Sequence, residues 1–134
     1  MSSPIQPIRS RHTVQRQAIV TVLRGCTRPL TPLEILAGAR RASPRLGIAT
    51  VYRAVKSLLD AQLLVSVQVP GEAARYEMAG KPHHHHFLCR TCRRVYDVEG
   101  CPGNLDSLAP DGFRLESHEV SLVGVCRSCA AARA

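Results

Sequence analysis

The chain has 134 residues and a mass of 14.6 kDa, enough for one domain of common size or two very small ones with little core each. Its 18 Lys and Arg against 10 Asp and Glu give a net charge of +8, unevenly spread: residues 1–80 carry 11 basic and 4 acidic side chains, residues 81–134 carry 7 and 6. No apolar run approaches the roughly 20 residues that cross a bilayer, and the opening MSSPIQPIRSRH lacks the apolar centre of a signal peptide, so a cytoplasmic protein with no membrane partner is expected.

The positive field over the first 80 residues points to a phosphate-rich partner there, although a solvated basic surface would have the same composition. In TVQRQAIVTVLRG the apolar Val14, Ala18, Ile19, Val22 and Leu23 share one helical face, with Thr13 as the cap and Gly25 as the stop. TPLE (Thr31 to Glu34) is a capping box with proline at the first helical position. It opens a second helix that buries Ile35, Leu36 and Ala39 and ends before Ser43-Pro44. In GIATVYRAVKSLLDAQLL the stripe Val51, Val55, Leu58 and Leu59 faces inward, while Tyr52, Arg53, Lys56 and Ser57 face outward, a set suited to a DNA major groove. LVSVQV (Leu64 to Val69) alternates as a strand, Pro70-Gly71 turns, and Ala73 to Met78 returns. Three helices and a hairpin make a winged helix, and with the local charge DNA binding is the leading reading.

Composition changes at Gly80-Lys81-Pro82, since Cys26 is the one cysteine before it and five follow. The expected organisation is a winged-helix domain with its hinge over 1–80 and a second unit over 81–134. In that unit RRVYDV (93–98) and EVSLVGV (119–125) read as strands, with a short helix near 104–109. The fold class is α+β: a winged helix-turn-helix followed by a small α/β unit.

Cys89-x-x-Cys92 and Cys126-x-x-Cys129 each supply two thiolates from one tight turn, and together they form the tetrahedral four-sulfur set of a structural Zn(II). The 33 residues between them require a strand-helix-strand excursion that brings the two turns together. A redox role would need one CxxC at the start of a helix in a thioredoxin-like setting, and neither pair is placed so. Cys26 and Cys101 fit no ligand spacing. In KPHHHHFLCRTC the histidines alternate if extended: His84 and His86 point one way, His83 and His85 the other. Glu77 and Asp97 can complete the first pair with oxygen donors. His118 can complete the second, with Asp106 or Glu116 as an acid.

The residues Arg11-x-Thr13-x-Gln15-Arg16, ATVYR (Ala49 to Arg53), HHHHFLCRTC (His83 to Cys92) and SHEVSLVGVCRSC (Ser117 to Cys129) resemble, over nearly the whole chain, the ferric-uptake-regulator family of bacterial metal-responsive repressors. The resemblance implies a homodimer whose winged helices bind a palindromic double-stranded operator, with 81–134 as the dimerisation domain. Tyr52 and Arg53 would meet bases or nearby phosphates, Thr50 and Lys56 would dock the helix, and Arg11 and Arg16 would reach the backbone or minor groove. It also implies structural zinc on Cys89, Cys92, Cys126 and Cys129. A hinge site for Fe(II), Mn(II) or Zn(II) would lie on Glu77, His84, His86 and Asp97, and a third site on His83, His85 and His118. The chain departs from the family where Arg28-Pro29 replaces a sensing ligand and where Met78 stands in place of a zinc sensor's cysteine. Asp60 is then a substitute ligand. The rival classes are a zinc hydrolase, a thiol oxidoreductase and a metal-storage module.

Overall fold

The computed structural model describes residues 11–132. Three helices come first: α1 (Arg11–Gly25), α2 (Pro32–Ala39) and α3 (Ile48–Asp60). α1 buries Gln15, Ala18, Ile19 and Leu23, the spacing that keeps one face toward a core. Val14, expected inside, is 43% exposed. At about 100° per residue it lies too far round the axis from the Gln15–Ile19–Leu23 line, and Gln15 takes the buried place. The helix already runs at Arg11, so Thr13 lies inside its first turn and is not the cap.

α2 starts as its sequence requires. Glu34 N–H donates to Thr31 Oγ1 at 3.2 Å and Thr31 N–H donates to Glu34 Oε1 at 3.2 Å, while Arg28 Nη1 pairs with Glu34 Oε2 at 2.6 Å. α3 turns Val51, Ala54, Val55 and Leu58 inward against α1 and α2 and leaves Tyr52, Arg53, Lys56 and Ser57 exposed. Ile19, Ile35, Leu46 and Val51 are fully enclosed where the helices meet.

β1 (Leu64–Val67) and β2 (Arg75–Met78) form an antiparallel hairpin with Leu64 opposite Met78, shorter at β2 than the expected Ala73 start. Gly71 supplies the positive φ of +78° that its turn needs. Leu30 and Tyr76 exchange backbone bonds of 2.9 and 2.8 Å, so the segment before α2 adds a rung to the wing. Burial along β1 is not strictly alternating. Leu64 enters the helical core, whereas Val67 and Val69 pack with Leu88 and Val95 in a second core.

That second core lies on a three-stranded sheet ordered β4-β3-β5, from β3 (His85–Cys89), β4 (Val95–Val98) and β5 (Ser121–Gly124). β4 runs antiparallel to β3, with His86 opposite Asp97, and β5 runs parallel to it, with Cys89 opposite Gly124. The strands are shorter than the sequence suggests. The helix near 104–109 is a 3-10 turn over Leu105–Leu108, and a short α4 (Arg127–Ala132) closes the described chain. Gly124 permits the close pairing, because a Cβ there would lie 2.9 Å from Phe87 Cζ. With four buried residues this core is thin, and polar ties supplement it. Arg75, 3% exposed, donates Nη2 to Arg93 O at 2.6 Å and to Glu72 Oε2 at 3.3 Å, and Arg93 itself pairs with Glu72.

Burial alone would raise the Glu34 carboxyl pKa, but the Thr31 and Arg28 bonds outweigh it and hold the group below its ordinary value. A depressed carboxyl stabilises fully above the unfolded value of about 4.3 and loses that contribution as pH falls through the lower folded value. Glu34→Gln is therefore expected to lower stability by about 1 kcal/mol at pH 7. In urea melts the gap from the parent should narrow below about pH 4.

Candidate metal centres

Three groups of metal-ligand type assemble among the described residues, each with its donor atoms within 4.8 Å of one another. The first unites Cys89, Cys92, Cys126 and Cys129. Parallel pairing sets Cys89 opposite Gly124, which delivers Cys126 two residues later beside the Cys89–Cys92 turn. Cys92 and Cys126 sulfurs are 3.9 Å apart, and the N–H groups of Cys92 and Cys126 donate to Cys89 Sγ at 3.5 and 3.3 Å. Those two amides bring the Cys89 thiol down to about 6. Bonding to Cys126 and burial push Cys129 up to about 12. Backbone bonding also lowers the Cys126 thiol, so thiolates form readily at Cys89 and Cys126 while Cys129 resists ionising beside them, a conflict that a tetrahedral Zn(II) removes. The residues fit the metal.

The second group is Glu77, His84, His86 and Asp97. Glu77, 4% exposed, comes from the wing strand β2, His84 from the segment after it, and His86 and Asp97 face each other across the β3–β4 ladder. His84 Nδ1–H donates to Pro82 O at 2.8 Å, which leaves the Nε2 lone pair turned inward when the ring is neutral. That nitrogen is 2.8 Å from Glu77 Oε1 and 3.6 Å from Asp97 Oδ1, while His86 Nε2 is 3.5 and 3.6 Å from the same two oxygens. His86 Nε2 and Asp97 Oδ1 are buried without a hydrogen-bond partner. Orphaned lone pairs aimed at one point are costly unless a cation satisfies them, so this set of two nitrogens and two oxygens also fits a divalent metal.

Lys81, which carries no ligand signature in the sequence, spans the outer oxygens: Nζ donates to Glu77 Oε2 at 2.9 Å and to Asp97 Oδ2 at 2.7 Å. Burial opposes charge on Glu77, but Lys81 and His84 more than offset it and keep the carboxyl below its ordinary value. Lys81 lies four residues after Glu77, and that spacing beside a paired acid was its only sequence signal. Asp60 is exposed at the end of α3 and is not among the converging groups, and Met78 packs against the helical core. Arg28 is occupied with Glu34, and Pro29 is fully buried.

The third group contains the expected His83, His85 and His118 together with Cys101, which spacing alone had set aside. Cys101 lies in the loop after β4, whose Val98 is opposite His85, so strand pairing was the missing information. His83 Nε2 and His118 Nε2 are 3.2 Å apart, Cys101 Sγ is 2.9 Å from His118 Nε2, and His85 Nε2 is 3.4 Å from Cys101 Sγ. Burial and the surrounding rings, chiefly His83 and His118, hold His85 below the ordinary imidazole value. The candidate acids Asp106 and Glu116 are exposed and outside this group.

Away from the metals, the outer face of α3 carries Tyr52, 55% exposed, beside exposed Arg53 and Lys56. Arg53 Nη2 donates to Thr50 Oγ1 at 3.1 Å, and Arg16 Nη1 reaches across from α1 to Ser57 Oγ at 2.9 Å. Arg11 is exposed at the start of α1.

Residues 8–123 match the model of the ferric uptake regulator family. The chain is 32% identical over 124 residues to the ferric uptake regulation protein of Campylobacter jejuni, covering 89% of this chain and 79% of that protein. A zinc-bound manganese uptake regulator superposes with a TM-score of 0.74 at 26% identity, over 87% of this chain and 91% of the other. The ferric uptake regulator of Helicobacter pylori, described as having three functional metal-binding sites, superposes at 0.68 with 25% identity, over 87% and 79%.

Cys89→Ser removes the one buried thiol of the four-cysteine group. Co(II) added to the metal-free variant should lose the strong tetrahedral thiolate spectrum given by the parent, and the melting temperature should fall by well over about 5 °C.

Proposed function

The chain belongs to the ferric uptake regulator family, and from that premise we propose that it is a homodimeric repressor that binds a double-stranded operator when a divalent metal occupies the hinge. The observation that carries the reading is the convergence of Glu77, from the wing, with His84, His86 and Asp97, around buried atoms that lack partners. These ligands straddle the junction between the winged helix (1–80) and the dimerisation domain (81–134), so they can all be satisfied in only one relative placement of the two. Fe(II), Mn(II) or Zn(II) bound there supplies the positive charge that holds two carboxylates and two neutral imidazoles together.

The hinge residues favour the arrangement in which both arms of the dimer present α3 at operator spacing. Metal and DNA then strengthen each other's binding by a common factor. Tyr52 and Arg53 read the major groove, Thr50 and Lys56 dock the helix, and Arg11 and Arg16 bind the backbone or minor groove. The four cysteines hold structural zinc that ties the last strand to the first CxxC turn and compensates for the thin second core. Support for self-association comes from β5, an edge strand with Leu122 and Val123 44% and 64% exposed. An enzyme reading is disfavoured because a zinc held by four cysteines is closed to substrate. Storage alone would leave the Tyr52-Arg53 face and the wing without a use.

The test is a gel shift on a duplex selected from a random pool in the presence of Mn(II), Fe(II) or Zn(II). His84→Ala and His86→Ala should abolish the metal dependence, and retention of the parent's response would remove the hinge from the mechanism. Arg53→Ala should weaken binding by about 10-fold or more even with metal saturating. In sedimentation, Leu122→Asp should shift the dimer toward monomer.

A further inference from the structure

The carboxylates of Glu77 and Asp97 divide their oxygens between two kinds of partner. Lys81 Nζ donates to Glu77 Oε2 at 2.9 Å and to Asp97 Oδ2 at 2.7 Å, so one ammonium holds both outer oxygens. Glu77 Oε1 and Asp97 Oδ1 instead face the Nε2 atoms of His84 and His86. Lys81 is no loose surface group. Its side chain is 29% exposed, against carboxylates at 4% and 18%. Pro82 restricts the Lys81 backbone to an extended conformation, and Pro82 O accepts the His84 Nδ1 hydrogen at 2.8 Å. The link from the wing to β3 therefore presents the lysine and the first imidazole together. Ligand bonds of about 2.0–2.2 Å set the corners of a tetrahedron about 3.3–3.6 Å apart. Three of the four nitrogen-to-oxygen distances, at 3.5, 3.6 and 3.6 Å, are already of that size. Among the described residues no fifth donor joins the four.

We propose that Lys81 is the metal-specificity residue of the hinge. By occupying the outer oxygens it limits Glu77 and Asp97 to one donor atom each, which leaves a four-cornered set of two nitrogens and two oxygens that suits Zn(II) better than Mn(II). The inference rests on the hinge reading above and concerns which ion that hinge takes. Zn(II) has no geometric preference from its d electrons and accepts four donors. Mn(II) favours six, mostly oxygen, and the nearest additional ones are the second oxygens of these same carboxylates. To chelate through both oxygens, each carboxylate would have to give up a charge-assisted bond to the ammonium. The positive charge of Lys81 also opposes any entering cation, but that repulsion acts alike on two ions of charge +2 and cancels in the ratio of their affinities. What remains in the ratio is the number of oxygens set free. Lys81 is thus a positioning residue that acts through the carboxylates.

The test is equilibrium dialysis of full chains against Zn(II) and against Mn(II). The chains retain zinc at the four cysteines and carry His118→Ala throughout, so that the third group adds no site. Lys81→Ala and Lys81→Met should each lower the Zn(II)-to-Mn(II) affinity ratio by about 10-fold or more. Lys81→Arg, which keeps a cationic donor for both outer oxygens, should retain the parent's ratio. Co(II) gives a second readout: the intense visible bands of a four-coordinate ion in the parent should give way to the weak bands of six-coordination in both neutral variants. A ratio unchanged in both neutral variants, or lost as completely in Lys81→Arg, would overturn the assignment. His84→Ala and His86→Ala separate this from the reading beneath it. Exchangeable metal that still binds in both removes the hinge site and the assignment with it. Binding lost in both, with a ratio that no Lys81 variant moves, removes the assignment alone.

Discussion

Hydrogen bonding along both edges of β3, antiparallel to β4 and parallel to β5, fixes which of four consecutive histidines meets which partner. Side chains alternate across a strand, so a slip of one residue would exchange the faces and pair His84 and His86 with Cys101 and His118 instead of Glu77 and Asp97. The same register sets Cys89 level with Gly124 and so brings the two CxxC turns together. Three clusters therefore share one constraint, and the close packing of Gly124 against Phe87 is part of what maintains it.

Each cluster handles its charge differently. At the four cysteines two backbone amides hold the Cys89 thiolate, while Cys129 resists ionising. Beside His84 and His86, Lys81 bonds the outer oxygen of each carboxylate and leaves the inner ones facing the imidazoles, so Glu77 and Asp97 are held near each other without mutual repulsion separating them. In the third cluster the Val120 amide donates to His85 Nδ1 and fixes that ring. In each case these bonds orient a donor atom whose own side chain could otherwise rotate away.

The two cores are joined by more than the candidate ligands. β1 begins in the helical core at Leu64 and ends in the second core at Val67 and Val69, while Arg75 and Glu72 tie the wing to the β3–β4 turn through Arg93. α3, packed against the same helical core, takes its orientation from that wing. Glu77 lies on β2, one strand removed from the element that carries Tyr52 and Arg53. Few apolar contacts and several polar ones are what a joint needs if it is to occupy more than one arrangement.

Periodicity and turn chemistry made most of the helical half legible. The capping box at Thr31, the Val51–Val55–Leu58 stripe and the outward Tyr52-Arg53 pair are local patterns that recur at helical spacing, so no distant contact is needed to read them. Paired thiols and alternating histidines were legible too, because ligand type and strand period are properties of short segments. Cys101, Lys81 and the inequivalent His85 were not. Cys101 meets His118 only because β4 and β5 flank one strand, Lys81 matters only through an oxygen on another strand, and His85 is set by an amide 35 residues away. Sequence by itself determined which donors exist and which faces they prefer. Tertiary structure decided their company, because strand register and loop closure are long-range contacts that no local pattern encodes.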